Sequence, residues 1–401
     1  MPATGQTYII AGAGIAGLTL ALALAKFGAH VVILERHAAV SEFGAGLQIS
    51  PNARKVLNNL GLDDALSELA LEPVGVDIYP YRRKRPIATM QMGAAMRERF
   101  GAAYAVMHRA DLAEALYRAT RPFANIDIVF NVKSWDAVST PDGVTVTINE
   151  ANDQSRTVRG RAFIGADGVH SQTRARLLDG PVAKFGGRVA WRALVPFESA
   201  SDLMDLDRVS ILFGPDYHMV CYPLPHRQQV NLALFAKARL GDIEVEHRPE
   251  LPASLQKSSR IEALIKAAGD SWTTWPLFTV RTPIWHKGNI GLIGDAAHAM
   301  VPFQAQGAAM GIEDAAVLAP LLVSEPSAGA AFARYQQVRQ PRVTRVADLS
   351  LLNGRIFHMH WPLSIVRNLG VRIQGQRGHM RRLAWLYGYE VTPLASPGTD
   401  E

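Results

Sequence analysis

The run Tyr217-His218-Met219-Val220-Cys221-Tyr222-Pro223-Leu224 sets a histidine and a tyrosine four residues apart in an apolar stretch between turn residues. Alternate side chains of a strand share a face, so His218 and Tyr222 point the same way, with backbones roughly 13 Å apart at about 3.3 Å per residue. That spacing is too wide for a direct bond and suits flanking one ring or joining through water. Imidazole titrates near neutral pH and a phenol donates a hydrogen bond, so the pair is a candidate for acid–base work. The plainer reading is packing, which a lone His and Tyr on one strand face usually serve. Two further candidates for ligand contact are Arg192, able to meet a carboxylate bidentately, and Gln304 with Pro302 beside it.

A second set of residues is suited to a dinucleotide. Gly12-Ala13-Gly14-Ile15-Ala16-Gly17 follows the apolar strand Tyr8-Ile9-Ile10-Ala11 and opens an apolar helix from Ile15 to Phe27. Glycines there permit a tight turn, approach of the backbone to a pyrophosphate and close helix packing, while the helix N-terminus offers unpaired N–H groups. The next strand ends at Glu35, with Arg36 beside it, about 20 residues after the glycines, where an acid should hold ribose hydroxyls. Later, Gly165-Ala166-Asp167-Gly168 and Gly294-Asp295-Ala296-Ala297-His298 each close an apolar strand on an aspartate. Alone, either aspartate reads equally well as a turn or helix cap.

Taken in order, the three segments resemble the group A flavoprotein aromatic hydroxylases, the family of p-hydroxybenzoate and salicylate hydroxylases, over nearly the whole chain. The resemblance implies FAD, with Asp167 near the pyrophosphate, Asp295 on the ribityl chain and Arg109 of His108-Arg109-Ala110-Asp111-Leu112 also on the cofactor. Gln48 and Asn52, after Gly44-Ala45-Gly46, resemble the segment beside the isoalloxazine. Val301 to Ala309 resembles the segment that points a helix N-terminus, at Gly307 and Ala308, toward the flavin pyrimidine edge. Such a terminus favours the anionic reduced flavin by about 0.3–2 kcal/mol. The His-x-x-x-Tyr-Pro stretch resembles hydroxybenzoate and hydroxynicotinate hydroxylases, in which the pair handles the phenol proton. Gln304 resembles a substrate-contacting residue of 3-hydroxybenzoate 6-hydroxylases.

The implied activity is hydroxylation of a small phenolic acid with NAD(P)H and dioxygen through a flavin C4a-hydroperoxide. No metal is needed. One alternative is a flavin hydroxylase or epoxidase of a larger lipophilic substrate at a membrane, and another is a flavin-binding regulator without turnover.

Composition narrows the field. Cys221 is the only cysteine among 401 residues, which removes disulfides, cysteine metal clusters and redox thiol pairs, so electrons must travel through a bound cofactor. The net charge of +6 suits anionic small molecules, and no nucleic-acid motif accompanies it. With neither a signal-like start nor a continuous apolar stretch of about 18 residues, a cytoplasmic monomer or homodimer is expected. Arginines crowd Arg334 to Arg382, with Asp348 as the sole acid. They read as a solvated helical face.

These elements imply an α/β fold. A Rossmann-type cofactor domain is expected from residues 1–75, 100–180 and 275–340, interleaved with an antiparallel-sheet substrate domain from 76–99 and 181–274. A helical region, 341–401, follows. No second glycine run has strand–helix context, so the nicotinamide has no domain of its own.

Overall fold

The computed structural model describes residues 3–40, 46–151, 154–239 and 259–391. Gly44 and Ala45, named above, and the last ten residues of the expected helical region lie outside that set. A six-stranded sheet runs in the order His286–Lys287, Ile290–Leu292, Ala162–Gly165, Thr7–Ala11, His30–Leu34, Ile126–Val129. Its five inner and far strands are parallel, and only the short edge strand His286–Lys287 runs against them. The strand ends that carry Ala11, Gly165 and Leu292 therefore emerge side by side, and the loops following them build one site.

Helix Ile15–Lys26 is apolar on nearly every face because every face is covered. The parallel sheet lies on one side, with helices Gly307–Ser324 and Arg109–Thr120 on the other. Gly307–Ser324 is long and apolar enough to cross a bilayer, which the sequence reading did not anticipate. Most of it is buried against protein, and it carries Glu313 and Asp314, both without solvent exposure, as a core helix can and a lipid-facing one cannot.

The second sheet has seven strands in the order Thr273–Thr279, Lys184–Pro196, Gln229–Lys237, Tyr217–Leu224, Val209–Gly214, Gly75–Tyr79, Ala88–Gln91. All neighbours are antiparallel except Val209–Gly214 beside Gly75–Tyr79. Period-two alternation splits its residues cleanly. Trp191, Met219, Cys221, Leu232 and Leu234 enter a core shared with helix Ser259–Ala268. Arg192, His218, Val220, Tyr222 and Phe235 occupy the other face, toward the first sheet. Cys221 is fully buried, and burial pushes its thiol up to about 12, so it is inert as expected. Strand Thr273–Thr279 belongs to this sheet, four residues beyond the expected boundary near 275.

The expected solvated face holds at Arg345, Arg355, Arg372, Arg377 and Arg381, which are exposed, and fails at Arg339, Arg342 and Arg367. Arg339, on helix Ala328–Phe357, has no solvent exposure and bonds Asp314 through Nε at 2.8 Å and Glu313 through Nη1 at 2.5 Å. Arg342 donates to the same Glu313 at 2.7 and 2.8 Å. Arg367 is buried as well, its guanidinium over the Phe213 ring. Sequence proximity to other arginines suggested a solvated face because the acids that pair with them lie some 25 residues earlier, on an apolar helix.

His298 also proves to be more than a packing neighbour: its Nε2 lies 2.5 Å from Asp314, which additionally accepts the Gly294 N–H at 2.9 Å. Burial alone would raise the Asp314 carboxyl, but His298, Arg339 and the Gly294 amide hold it well below the usual carboxylate range. With its folded value depressed, its stabilisation is present above about pH 4 and is lost only as pH falls toward that lower value. Asp314→Asn leaves Arg339 buried without a full counter-charge. It is expected to cost about 3–5 kcal/mol at neutral pH, measured by denaturant unfolding.

Candidate active site

The glycine run forms the turn its spacing implies. Gly12 adopts φ +106°, and a Cβ there would stand 2.6 Å from the Ala166 carbonyl oxygen. A Cβ at Gly17 would stand 2.1 Å from the Gly12 carbonyl oxygen. Neither position accepts another residue without moving backbone. Gly14 caps helix Ile15–Lys26 and, with Ala16, lines a cavity of about 380 Å³. Glu35 sits beneath this turn: one carboxylate oxygen accepts the Ala13 N–H at 2.9 Å, and the other accepts the His37 N–H at 2.9 Å. Glu35 thus braces the loop, while Arg36 projects into solvent.

The two later aspartates differ in a way their sequences conceal. Asp167 is consumed locally, accepting from the Ser171 hydroxyl at 2.6 Å and from the Thr173 N–H and hydroxyl at 3.0 Å. Its neighbours Ala166, Gly168 and Val169 form the cavity wall. Asp167 shapes the turn, as a cap would. Asp295 opens the short helix Asp295–His298, lines the cavity and has no hydrogen bond to protein among the described residues. A half-buried carboxylate without protein donors is suited to ligand hydroxyls.

Gly307 and Ala308 begin helix Gly307–Ser324 at the opposite wall, and a Cβ built at Gly307 meets nothing within 4 Å. Gln48 and Arg109 complete this set in the same cavity. Asn52 does not line it: its amide donates to Glu313 at 2.7 Å and to Gln306 at 3.1 Å. The cradle of tight glycines, the unengaged Asp295 carboxylate and a helix N-terminus facing open space fit an extended dinucleotide.

A smaller cavity of about 180 Å³ adjoins the first, and the two share Gln48, Val220, Pro302 and Ala305 in their walls. An apolar cavity of ~150 Å³ is enough for benzene, so this one accommodates a single substituted ring. His218, Phe303 and Gln304 line it. Gln304 accepts from the Asn353 amide at 2.5 Å and bonds the hydroxyl of Tyr387, which burial pushes up to about 12. The C-terminal helix Leu363–Tyr387 closes this cavity with Gln374, His379 and Leu383. Sequence reading placed that helix on the surface, because its arginine content masked its apolar inner residues.

His218 and Tyr222 share a strand face as expected but open onto different cavities. Tyr222 reaches the larger one, its ring packed against Gly46, where a Cβ would lie 2.4 Å from the ring. Burial raises its phenol well above the ordinary range, with the nearby Arg192 opposing. Arg192, half-buried, is lowered by burial and by Arg109, and it faces the same cavity. His218 lines the smaller one. Its Nδ1 lies 2.7 Å from Nε2 of His358, a residue that sequence analysis had not singled out. Burial, His358 and Arg188 push the His218 imidazole well below 6.5. That shift favours the neutral ring, which can still present or accept a hydrogen bond.

Comparison with known proteins then identifies the cofactor. Residues 6–350 match the family model described as the FAD binding domain. The chain is a group A flavoprotein aromatic hydroxylase. It is 33% identical to a 3-amino-4-hydroxybenzoate 2-monooxygenase of Streptomyces platensis over 96% of this chain and 97% of that protein. To a 3-hydroxybenzoate 6-hydroxylase of Klebsiella oxytoca it is 31% identical, over 95% and 96%. In fold it is similar to the HpxO protein of Klebsiella pneumoniae, solved with FAD and uric acid, at a TM-score of 0.82 and 22% identity over 95% and 96% of the chains. This hydroxylase is accordingly an FAD-dependent monooxygenase.

Proposed function

We propose that this monooxygenase hydroxylates a single-ring phenolic acid of the salicylate or 3-hydroxybenzoate type, with NAD(P)H and dioxygen as co-substrates in the cytoplasm. The observation that carries the reading is the small cavity against Pro302 and Ala305, which opens beside the FAD cradle and holds His218 and Gln304. Relatives whose names specify hydroxybenzoates support the substrate class. We assign residues 1–75, 100–180 and 275–340 to holding FAD, and 76–99 and 181–274 to the substrate. When bound, FAD takes electrons from NAD(P)H and activates dioxygen for transfer of one oxygen atom to the ring.

The protein's own residues do the rest. Asp295 and the turn at Gly12–Gly17 fix the cofactor along the cavity. Phe303 and the closing helix exclude water from the ring. Arg192 draws the substrate's carboxylate toward the cavity junction, and Arg109 contacts the cofactor. Tyr222, kept protonated by burial, donates to the phenolic oxygen as it gains negative charge.

Rapid mixing under anaerobic conditions tests this reading. Flavin reduction by NADH or NADPH is expected to accelerate when a hydroxybenzoate is bound, and product identification in air should give the dihydroxy acid. Equal reduction rates with every aromatic acid tried would reduce the protein to a plain flavin reductase or a binding protein.

One observation favours the lipophilic alternative. Trp361, Leu363, Val366, Leu369 and Ile373 are 56–79% exposed near the start of the C-terminal helix, close to the cationic loop Arg83-Lys84-Arg85. Co-sedimentation with anionic vesicles together with turnover of a long-chain phenol, and none of hydroxybenzoates, would establish that reading instead.

A further inference from the structure

The His218–His358 contact is unusual chemistry for a protein interior. Both rings are at least nine-tenths buried, and among the described residues no carboxylate bonds either one. His218 stacks on Phe235 at 4.7 Å, with Phe303 and Phe357 edge-on at 5.0 and 5.2 Å, so its ring is held in one orientation. His358 caps the end of helix Ala328–Phe357 and does not line the substrate cavity. We propose that His358 is a positioning residue that fixes His218 in the tautomer carrying its proton on Nε2, so that His218 presents a hydrogen-bond donor to the substrate's oxygen.

The argument is one of proton placement. A 2.7 Å contact between two neutral imidazoles contains one proton, and two arrangements are open. If His218 Nδ1–H donated to His358 Nε2, the proton of His358 would sit on its Nδ1, which is buried and has no partner. An orphaned buried N–H is the rarer and costlier defect. If His358 Nε2–H donates instead, only a lone pair is left at that Nδ1. The surroundings favour the lone pair further, because Arg188, Lys237 and Arg367 outnumber Asp216 around His358. His218 Nδ1 is then an acceptor, and its own proton must be on Nε2. That nitrogen has no protein partner among the described residues, and the ring lines the cavity. Because His218 stays neutral, the donor persists across the neutral range.

The specificity consequence rests on the proposed function. A phenolate, carboxylate or ring-carbonyl oxygen is welcomed at this point, and a ligand presenting an N–H there meets another N–H.

Tautomers are read directly from ¹⁵N-histidine NMR of the FAD-loaded enzyme, with the His218 signals assigned by their loss in His218→Asn. The expected result is Nε2-protonated His218 in the substrate-free enzyme. Protonation at Nδ1, or at both nitrogens at pH 7, overturns the proposal. Two variants at full FAD content supply the functional arm. His358→Leu should randomise the tautomer and raise substrate KM about tenfold, the scale of one hydrogen bond to a charged group. His358→Gln, which keeps an N–H donor, should largely restore both. An unchanged KM in His358→Leu overturns the positioning role, as does a Gln variant no better than Leu. If no aromatic acid binds at all, the proposed substrate class fails while the tautomer measurement still decides the proton's position.

Discussion

Gly14→Val should yield a folded, colourless protein. Gly14 has an extended backbone, φ −79° and ψ −177°, which valine adopts freely, so the substitution carries no backbone strain. Its effect is confined to space: the residue caps helix Ile15–Lys26 and forms the cavity wall, where an isopropyl group occupies the approach to the helix N–H groups that a pyrophosphate needs. This sets it apart from Gly12 and Gly17, where a Cβ collides with carbonyl oxygens of the turn and damages the fold itself. FAD content after reconstitution and the thermal transition of the apoprotein should be measured side by side. Loss of at least a hundredfold in FAD affinity with an unchanged apoprotein transition is expected, about 2.7 kcal/mol or more of lost binding. Retention of FAD by the valine variant would place the pyrophosphate elsewhere.

The parts of this enzyme that were legible in the sequence are those whose chemistry is local. A glycine turn after an apolar strand and period-two alternation in Tyr217–Leu224 depend on near neighbours, and they dictated the backbone turn and which side chains share a sheet face. Asp167 and Asp295 looked alike because both end a strand before a turn. What separates them is whether donors lie nearby, and Ser171 and Thr173 were visible all along as candidates to satisfy Asp167. The rest depended on contacts far apart in the chain. Arg339 pairs with Asp314 across 25 residues, and His358 reaches His218 across 140. No periodicity encodes a meeting of that kind. The surface assignment of the C-terminal helix holds for Arg372, Arg377, Arg381 and Arg382, which are exposed, but the arginine-rich composition hid the buried Met380, Leu386 and Tyr387 on its other side.

Tyr222→Phe should leave FAD in place and uncouple the enzyme. Forming a phenolate at pH 7 from a phenol of pKa near 10 costs about 3 units, roughly 4 kcal/mol. The ring must gain that electron density to accept the oxygen atom, and the site has two groups on one strand face with which to help. Burial and His358 push the His218 imidazole well below its ordinary range, which favours its neutral form. Tyr222 is 3% exposed, its phenol is raised by burial, and its hydroxyl makes no hydrogen bond to protein among the described residues, so it keeps its proton and is free to donate. A donor that strengthens as charge develops on the substrate oxygen lowers the barrier selectively, and removing such a group typically slows the step about 100-fold. The phenylalanine ring fills the same space against Gly46, so the cradle should be undisturbed. NAD(P)H oxidation in the presence of a hydroxybenzoate should continue, with hydrogen peroxide replacing most of the hydroxylated product. Product yield per NAD(P)H and a single-turnover hydroxylation rate distinguish the outcomes. Full yield at a normal rate in Tyr222→Phe would return Tyr222 to the role of a packing residue and shift the burden of stabilising the phenolate onto Arg192 and the His218 donor.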